Sequence, residues 1–179
     1  MGHGIVTDRR SFGAFLALMA IAAVGLAQVS GGPKFHPPGP PFYGEISFSS
    51  PVATNTTSGT PVKAAGTTTL GANFEFDMPA NNRLRYTGSL RRLFHCEAYV
   101  SMEAGSNTIL VSIFFAEGGA VAADTEVQRF VSVLSTIGAA STAGIFELGP
   151  NEYVELFVDT NAGDPTVTIN VGNLICTGV

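Results

Sequence analysis

The sequence predicts an all-β fold, a sandwich or barrel, carried behind an N-terminal arm. Three observations predict it. From Gly44 onward, short apolar or alternating runs are punctuated by Gly, Asn, Pro and Ser/Thr clusters at the spacing of a sandwich or barrel. No run beyond that point sustains the 3.6-residue period of a helix. Apolar residues are 45% of the 179 and charged ones 13%, which supplies a core and excludes a solvated, disordered chain.

The arm comes first, as residues 1–44, with the β domain at 45–179. Residues 1–44 hold Arg9, Arg10 and Lys34 against Asp8, a net of +2, which leaves −7 on the remainder of a chain whose total is −5. Phe12 to Ala27 is an uncharged, Ala- and Leu-rich run that favours helix. Gly31-Gly32 and prolines 33, 37, 38, 40 and 41 follow, the composition of a stiff, extended spacer. Two readings of the apolar run stand. As a retained anchor, Phe12, Phe15, Leu16, Leu18, Met19, Ile21, Val24 and Leu26 would bury themselves in a partner's crevice, a neighbouring subunit or a lipid layer. At about 25 cal/mol per Å² of apolar surface, that supplies several kcal/mol per chain. As an export signal, the run has a basic front and Gly25-Leu26-Ala27 as a small-x-small cleavage site, with Arg9-Arg10-Ser11-Phe12 hinting at twin-arginine export. It is slightly short for a membrane span.

Ten candidate strands follow: Glu45–Ser49, Thr67–Leu70, Phe74–Met78, Arg83–Thr87, Arg92–Met102, Thr108–Glu117, Glu126–Val133, Thr142–Leu148, Tyr153–Asp159 and Thr166–Cys176. Ala-Asn-Asn at 80–82 and Gly-Pro-Asn-Glu at 149–152 are turn chemistry. Gly138–Ala143 reads as a loop, because its residues are too small and Ser/Thr-rich to pack as a helix. With Gly105–Asn107 and Gly118–Asp124, the stretch from Ser135 makes up the expected exposed loops.

Alternation assigns faces. Phe94, Cys96, Ala98, Val100 and Met102 share one face of their strand, with His95, Glu97, Tyr99 and Ser101 on the other. Val154, Leu156 and Val158 oppose Tyr153, Glu155 and Phe157. In the last strand Val167, Ile169 and Val171 lead to Leu174 and Cys176, a change of parity that suggests a bulge at Gly172-Asn173. Aromatics among carboxylates on an outer face suit an oligomer interface, so Tyr99, Tyr153, Phe157, Glu97 and Glu155 are the candidate interface residues.

Several chemistries are weak. A net charge of −5 argues against binding nucleic acid by phosphate neutralisation. Two cysteines exclude a disulfide-dense scaffold and a four-cysteine zinc site, and His3, His36 and His95 are widely spaced. His95 and Cys96 fall on opposite faces of a strand, so they do not form a nucleophile pair. Asp159, Asn161 and Asp164 resemble half a calcium loop, but Asn170 stands where the bidentate Glu belongs, and turn chemistry accounts for them. Glu75/Asp77 and Glu152/Glu155 are explained by polar-face alternation without acid–base work on a sugar. Arg83, Arg85, Arg91 and Arg92 concentrate positive charge in one hairpin. Pairing with Glu75, Asp77 and Glu97 is the expected use, and docking onto an acidic or glycan surface of a partner the alternative. Asn55-Thr-Thr57 is a glycosylation sequon only in a eukaryotic secretory route. The expectation is therefore a non-enzyme with no cofactor and no metal.

The residues also carry a resemblance. Gly149-Pro-Asn-Glu-Tyr-Val-Glu-Leu-Phe-Val158 resembles the penultimate hairpin of the jelly rolls in tumour necrosis factors and complement globular heads. Asn82-Arg-Leu-Arg-Tyr-Thr-Gly88 followed by Leu93-Phe-His-Cys-Glu-Ala-Tyr-Val100 resembles their central strands, and Thr166–Cys176 closes the chain as theirs does. Ile46-Ser-Phe48, Thr60–Leu70, Asn82–Gly88 and Asn151–Phe157 are similar to blocks of the viral branch, the fibre and head-decoration proteins of tailed bacteriophages. Over residues 44–179 the resemblance implies a ten-stranded antiparallel jelly-roll sandwich assembling as a threefold homotrimer. It implies a virion role too: capsid decoration, cement or fibre, joined to the major capsid protein or other virion proteins through residues 1–44. Three arms on one trimer add avidity. The alternative is a tail-fibre or secreted adhesin for a host-surface receptor or glycan. The resemblance also sets Arg92–Met102 beside the last strand, bringing Cys96 near Cys176. Two buried thiols are the favoured reading of that candidate pair, and a disulfide the other.

Overall fold

The computed structural model describes residues 42–105, 109–132, 137–163 and 165–179. The anchor residues Phe12 to Leu26 and the proline spacer lie outside the described residues, as do Asn107 and Asp164. No helix occurs among the described residues.

Twelve strands form, in chain order: β1 Tyr43–Pro51, β2 Ala53–Asn55, β3 Val62–Lys63, β4 Gly66–Phe74, β5 Phe76–Ala80, β6 Arg83–Tyr86, β7 Arg92–Ala104, β8 Ile109–Glu117, β9 Ala120–Val131, β10 Gly138–Leu148, β11 Tyr153–Thr160 and β12 Thr166–Gly178. Ten answer to the expected runs; β2 and β3 are additions too short to show a period. All pairings are antiparallel. The first sheet runs β10-β7-β12-β1-β4 with β2 on β12, and the second runs β5-β6-β11-β8-β9 with β3 on β11.

Period-2 alternation puts one face of each sheet into a shared core. Every residue assigned inward on β7 is buried, and so are Val154, Leu156 and Val158 on β11. Phe76, Tyr86 and Phe94 form an aromatic cluster, with the Phe94 ring 5.0 Å from Phe76 and 4.9 Å from Tyr86. Phe115 and Phe146 meet edge to face at 5.3 Å.

Three expectations are corrected. Gly138–Ala143 is not a loop: it is the first half of β10 and pairs with β7 from Met102 to Glu97. Its inward positions are small because β9 of the other sheet comes so close there. A Cβ at Gly138 would sit 2.9 Å from Val131 Cγ2, and one at Gly144 2.8 Å from Thr125 Cγ2. Thr142 Oγ1 closes the seam by donating to the Thr125 carbonyl.

Nor is Gly118–Asp124 a loop. Gly118 and Gly119 take φ of 58° and 86°, which suits a two-residue hairpin turn, and Ala120–Asp124 already belongs to β9.

The bulge in β12 lies earlier than expected, between Ile169 and Val171. Gly172 then faces the core, where a Cβ would come within 2.9 Å of Val100 Cγ1. Val171 is consequently turned outward and is 63% exposed.

Candidate functional site

The outer face of the first sheet is built mainly by β10, β7, β12 and β1, which carry its side chains in rows. Ile145, His95, Thr177 and Tyr43 form one row. Ala143, Glu97, Ile175 and Glu45 form the next, followed by Ser141, Tyr99, Asn173 and Ser47. Ala139, Ser101 and Val171 complete the set. Tyr99 is 52% exposed, and Ile145, Leu93 and Val171 stand out from this sheet to a similar extent. Two depressions flank the Tyr99 ring. One, of about 540 Å³, has a floor of small groups (Ala139, Ser141, Gly172) between Tyr99 and Val171. The other, of about 280 Å³, runs from Glu97 and Tyr99 towards Asp124 and Glu126 of β9.

The row along β7 is linked electrostatically. The Tyr99 hydroxyl donates to Glu97 Oε2, and His95 Nδ1 stands 3.3 Å from Glu97 Oε1. That hydrogen bond, with the carboxylate's charge, pushes the Tyr99 phenol above its ordinary range, so it remains a neutral donor. Asn173 Nδ2 donates to Glu45 Oε1 at 2.9 Å.

The five candidate interface residues do not form one patch. Glu97 and Tyr99 lie on the first sheet, whereas Tyr153, Glu155 and Phe157 lie on the outer face of the second. Glu155 is only 2% exposed and is committed within its own chain, 2.6 Å from Lys63 Nζ and 2.8 Å from Arg83 Nε. The Arg83 guanidinium also lies 3.9 Å from the Tyr153 ring centroid. Phe157 sits across from Phe114 of β8 and Lys63 of β3.

The cysteines are joined. Cys96 and Cys176 are directly opposed on β7 and β12 and form a disulfide, so the favoured reading of two thiols is replaced. Both lie on the inward face that alternation assigns, and both are fully buried.

The arginines find partners within the chain, though not all the expected ones. Arg85 forks onto Asp77, with Nε to Oδ1 at 2.9 Å and Nη2 to Oδ2 at 2.5 Å. Arg83 takes Glu155 rather than Glu97, which stands on the other sheet. Arg91 donates to Glu152 Oε1 at 2.7 Å, and Arg92 lies over the Phe42 ring. Glu152 also accepts from the Gly149 amide, and those two donors hold its carboxyl below the usual range. Burial, reinforced by Glu152, pushes Glu117 up.

The acidic loop oxygens serve turns. Asp159 Oδ1 accepts from the amides of Thr160 and Thr60, and Asn161 Oδ1 from that of Leu110. Among the described residues no group of three or more metal-ligating side chains converges.

One residue the sequence reading treated only as turn material proves central. Asn82 is fully buried with φ of 51°. Its Nδ2 donates to the carbonyls of Ala64 and Leu156, and its Oδ1 accepts from the Leu156 amide. It thereby satisfies backbone groups of β11 and of the residue after β3. The signal was Asn, a residue that tolerates left-handed backbone and hydrogen-bonds locally.

No family model matches the chain, and no curated protein matches it. Among solved structures it is similar to murine APRIL at pH 5.0, at 7% identity and a TM-score of 0.51 over 76% of this chain and 99% of that one. It is also similar to the globular domain of a zebrafish complement 1qA protein, at 9% identity and a TM-score of 0.44 over 78% and 97% of the two chains. The likeness to APRIL is one of fold: residues 42–179 are a jelly roll of the tumour-necrosis-factor-like kind.

Proposed function

We propose that this chain is a non-catalytic virion structural protein. Its jelly-roll head self-associates as a homotrimer, and residues 1–44 hold that head on the particle, as a decoration or cement protein or a head fibre of a tailed bacteriophage does. The observation that carries self-association is the outer face of the first sheet. There Tyr99, Val171, Ile145 and Leu93, each at least half exposed, occur on one sheet of one domain. Exposed apolar groups concentrated in this way mark an interaction surface. The virion role rests on the resemblance of several sequence blocks to the viral branch and on the apolar run and proline spacer of the arm.

A specific observation favours a second reading, an adhesin. An exposed tyrosine between two depressions, with Ser101, Ser141 and Asn173 beside it, offers a stacking surface and hydrogen-bonding groups for a sugar ring. The two readings exclude each other at this face, because a trimer contact would cover Tyr99.

Sedimentation of the full chain, with its intact mass in the native particle or secretion fraction, tests the proposal. Full-length chain in the particle, at three times the 18.6 kDa chain mass, supports it. A monomeric chain beginning near Gln28 that binds glycans through Tyr99 overturns it in favour of the secreted adhesin.

A further inference from the structure

The disulfide sits where no oxidant reaches it in the folded head. Cys96 and Cys176 are 0% exposed and share one row across the first sheet: Gly144 on β10, Cys96 on β7, Cys176 on β12 and Gly44 on β1. The flanking glycines leave space that aromatic side chains take. A Cβ at Gly144 would lie 2.9 Å from Phe146 Cε2, and one at Gly44 would lie 2.5 Å from Phe76 Cβ. Phe146 and Phe76 are themselves buried, and the rings of Phe115 and Phe94 back them. A reactant carrying its own sulfur has no approach to either cysteine.

The topology says when the sulfurs are reachable. β12 is the last strand in chain order, yet it lies in the middle of its sheet, between β7 and β1. Without it that path of the sheet falls into two separate pairs, β10-β7 and β1-β4. Cys96 then stands on the open edge of β7, and Cys176 on an undocked segment. Insertion of β12 both opposes the two sulfurs and shuts them in.

We infer that the bond is begun before β12 closes the sheet, by thiol–disulfide exchange with a disulfide-carrying oxidant of the compartment in which the head folds. This concerns the folding route and holds for either role above. One cysteine thiolate attacks the oxidant's disulfide and releases one of its sulfurs as a thiol. As β12 comes alongside β7, the second cysteine thiolate attacks the chain's own sulfur in that mixed disulfide and releases the other. The chain loses two protons and two electrons, and the oxidant's disulfide is reduced to two thiols. Exchange needs a thiolate, which apolar surroundings disfavour, so a head that folds reduced keeps its thiols enclosed and unreactive. The redox state therefore records where the head folded: in an oxidising compartment, such as a secretory route or a periplasm, rather than a reducing cytoplasm.

Refolding the full chain in two orders tests it. In the first, reduced and denatured chain refolds with oxidised glutathione present from the start. In the second, it refolds in reductant, is desalted, and then receives the same oxidised glutathione. Alkylation in denaturant followed by intact mass counts the remaining thiols, and circular dichroism follows folding. The second order is expected to form the bond at least about a hundredfold more slowly, because oxidation waits for local opening. Urea should restore the fast rate. A reduced chain that does not fold at all also supports the order, since the bond then precedes the fold. A folded dithiol chain that oxidises as fast as the unfolded one overturns it. Chain alkylated as it is taken from the native particle or secretion fraction should show no free thiol, and two enclosed thiols there would overturn the assignment of compartment.

Discussion

Cys96 and Cys176 lie directly across from one another on the adjacent strands β7 and β12, joined through sulfurs that the sandwich core encloses completely. The C-terminal strand is thus locked into the middle of the first sheet, between β7 and β1. The bond closes a loop with a sequence separation of 80 residues, for which the chain-entropy account gives about 4.5 kcal/mol. Replacing both cysteines by Ala should lower the urea midpoint accordingly. Reductant added to the native wild-type chain should act slowly, because neither sulfur is accessible, and fast once denaturant is present. Thiol titration over time checks this; rapid reduction of the native chain would contradict the enclosure.

Asn82 should be among the most sensitive polar positions. Asn82→Ala removes three side-chain hydrogen bonds and puts a Cβ-bearing residue without a local acceptor at φ of 51°. A loss of about 3 kcal/mol or more is expected. Asn82→Gly keeps the backbone conformation and loses the hydrogen bonds alone, so it should cost less. Equal midpoints for the two variants would show that backbone conformation contributes nothing there.

Tyr99→Glu and Tyr153→Glu should separate the two outer faces. Tyr99 is half exposed on the first sheet, while Tyr153 lies under the Arg83 guanidinium on the second. The first substitution is expected to split the oligomer into monomers, and the second to leave its mass unchanged. The reverse result, read by light scattering, would move the interface to the second sheet.

Glu117 and Glu152 should give opposite pH signatures. The folded state holds the Glu152 carboxyl low, so the stability it contributes is present above the unfolded pKa and lost as pH falls. The folded state pushes Glu117 up, so its ionisation weakens the fold as pH rises past the unfolded pKa. Glu117→Gln should therefore raise the melting temperature at neutral pH and lose that advantage in acid. Glu152→Gln should lower it at neutral pH and flatten the acid limb. Both groups are partly exposed, so shifts of about 1 kcal/mol or less are expected.

The sequence by itself determined the class of fold and the inward face of individual strands. Two-residue alternation reports on which side of a strand a side chain lies, and the inward sets of β7 and β11 could be read from it directly. It also placed both cysteines in the core. Alternation carries no record of which sheet a strand joins, so Tyr99 and Tyr153 looked like neighbours on one surface. Only the pairing of β7 with β10 and β12, and of β11 with β6 and β8, sent them to opposite outer faces. The same limit explains Gly138–Ala143, where smallness signalled a loop along the chain and, in three dimensions, the close approach of β9. It explains the bulge too: the register shift between Ile169 and Val171 turns position 172 inward, where Val100 leaves no room for a Cβ, so Gly is required there by a strand more than sixty residues away in the chain. Local pattern sets the strand and its face; pairing and packing decide which faces meet, because those contacts join residues distant in sequence.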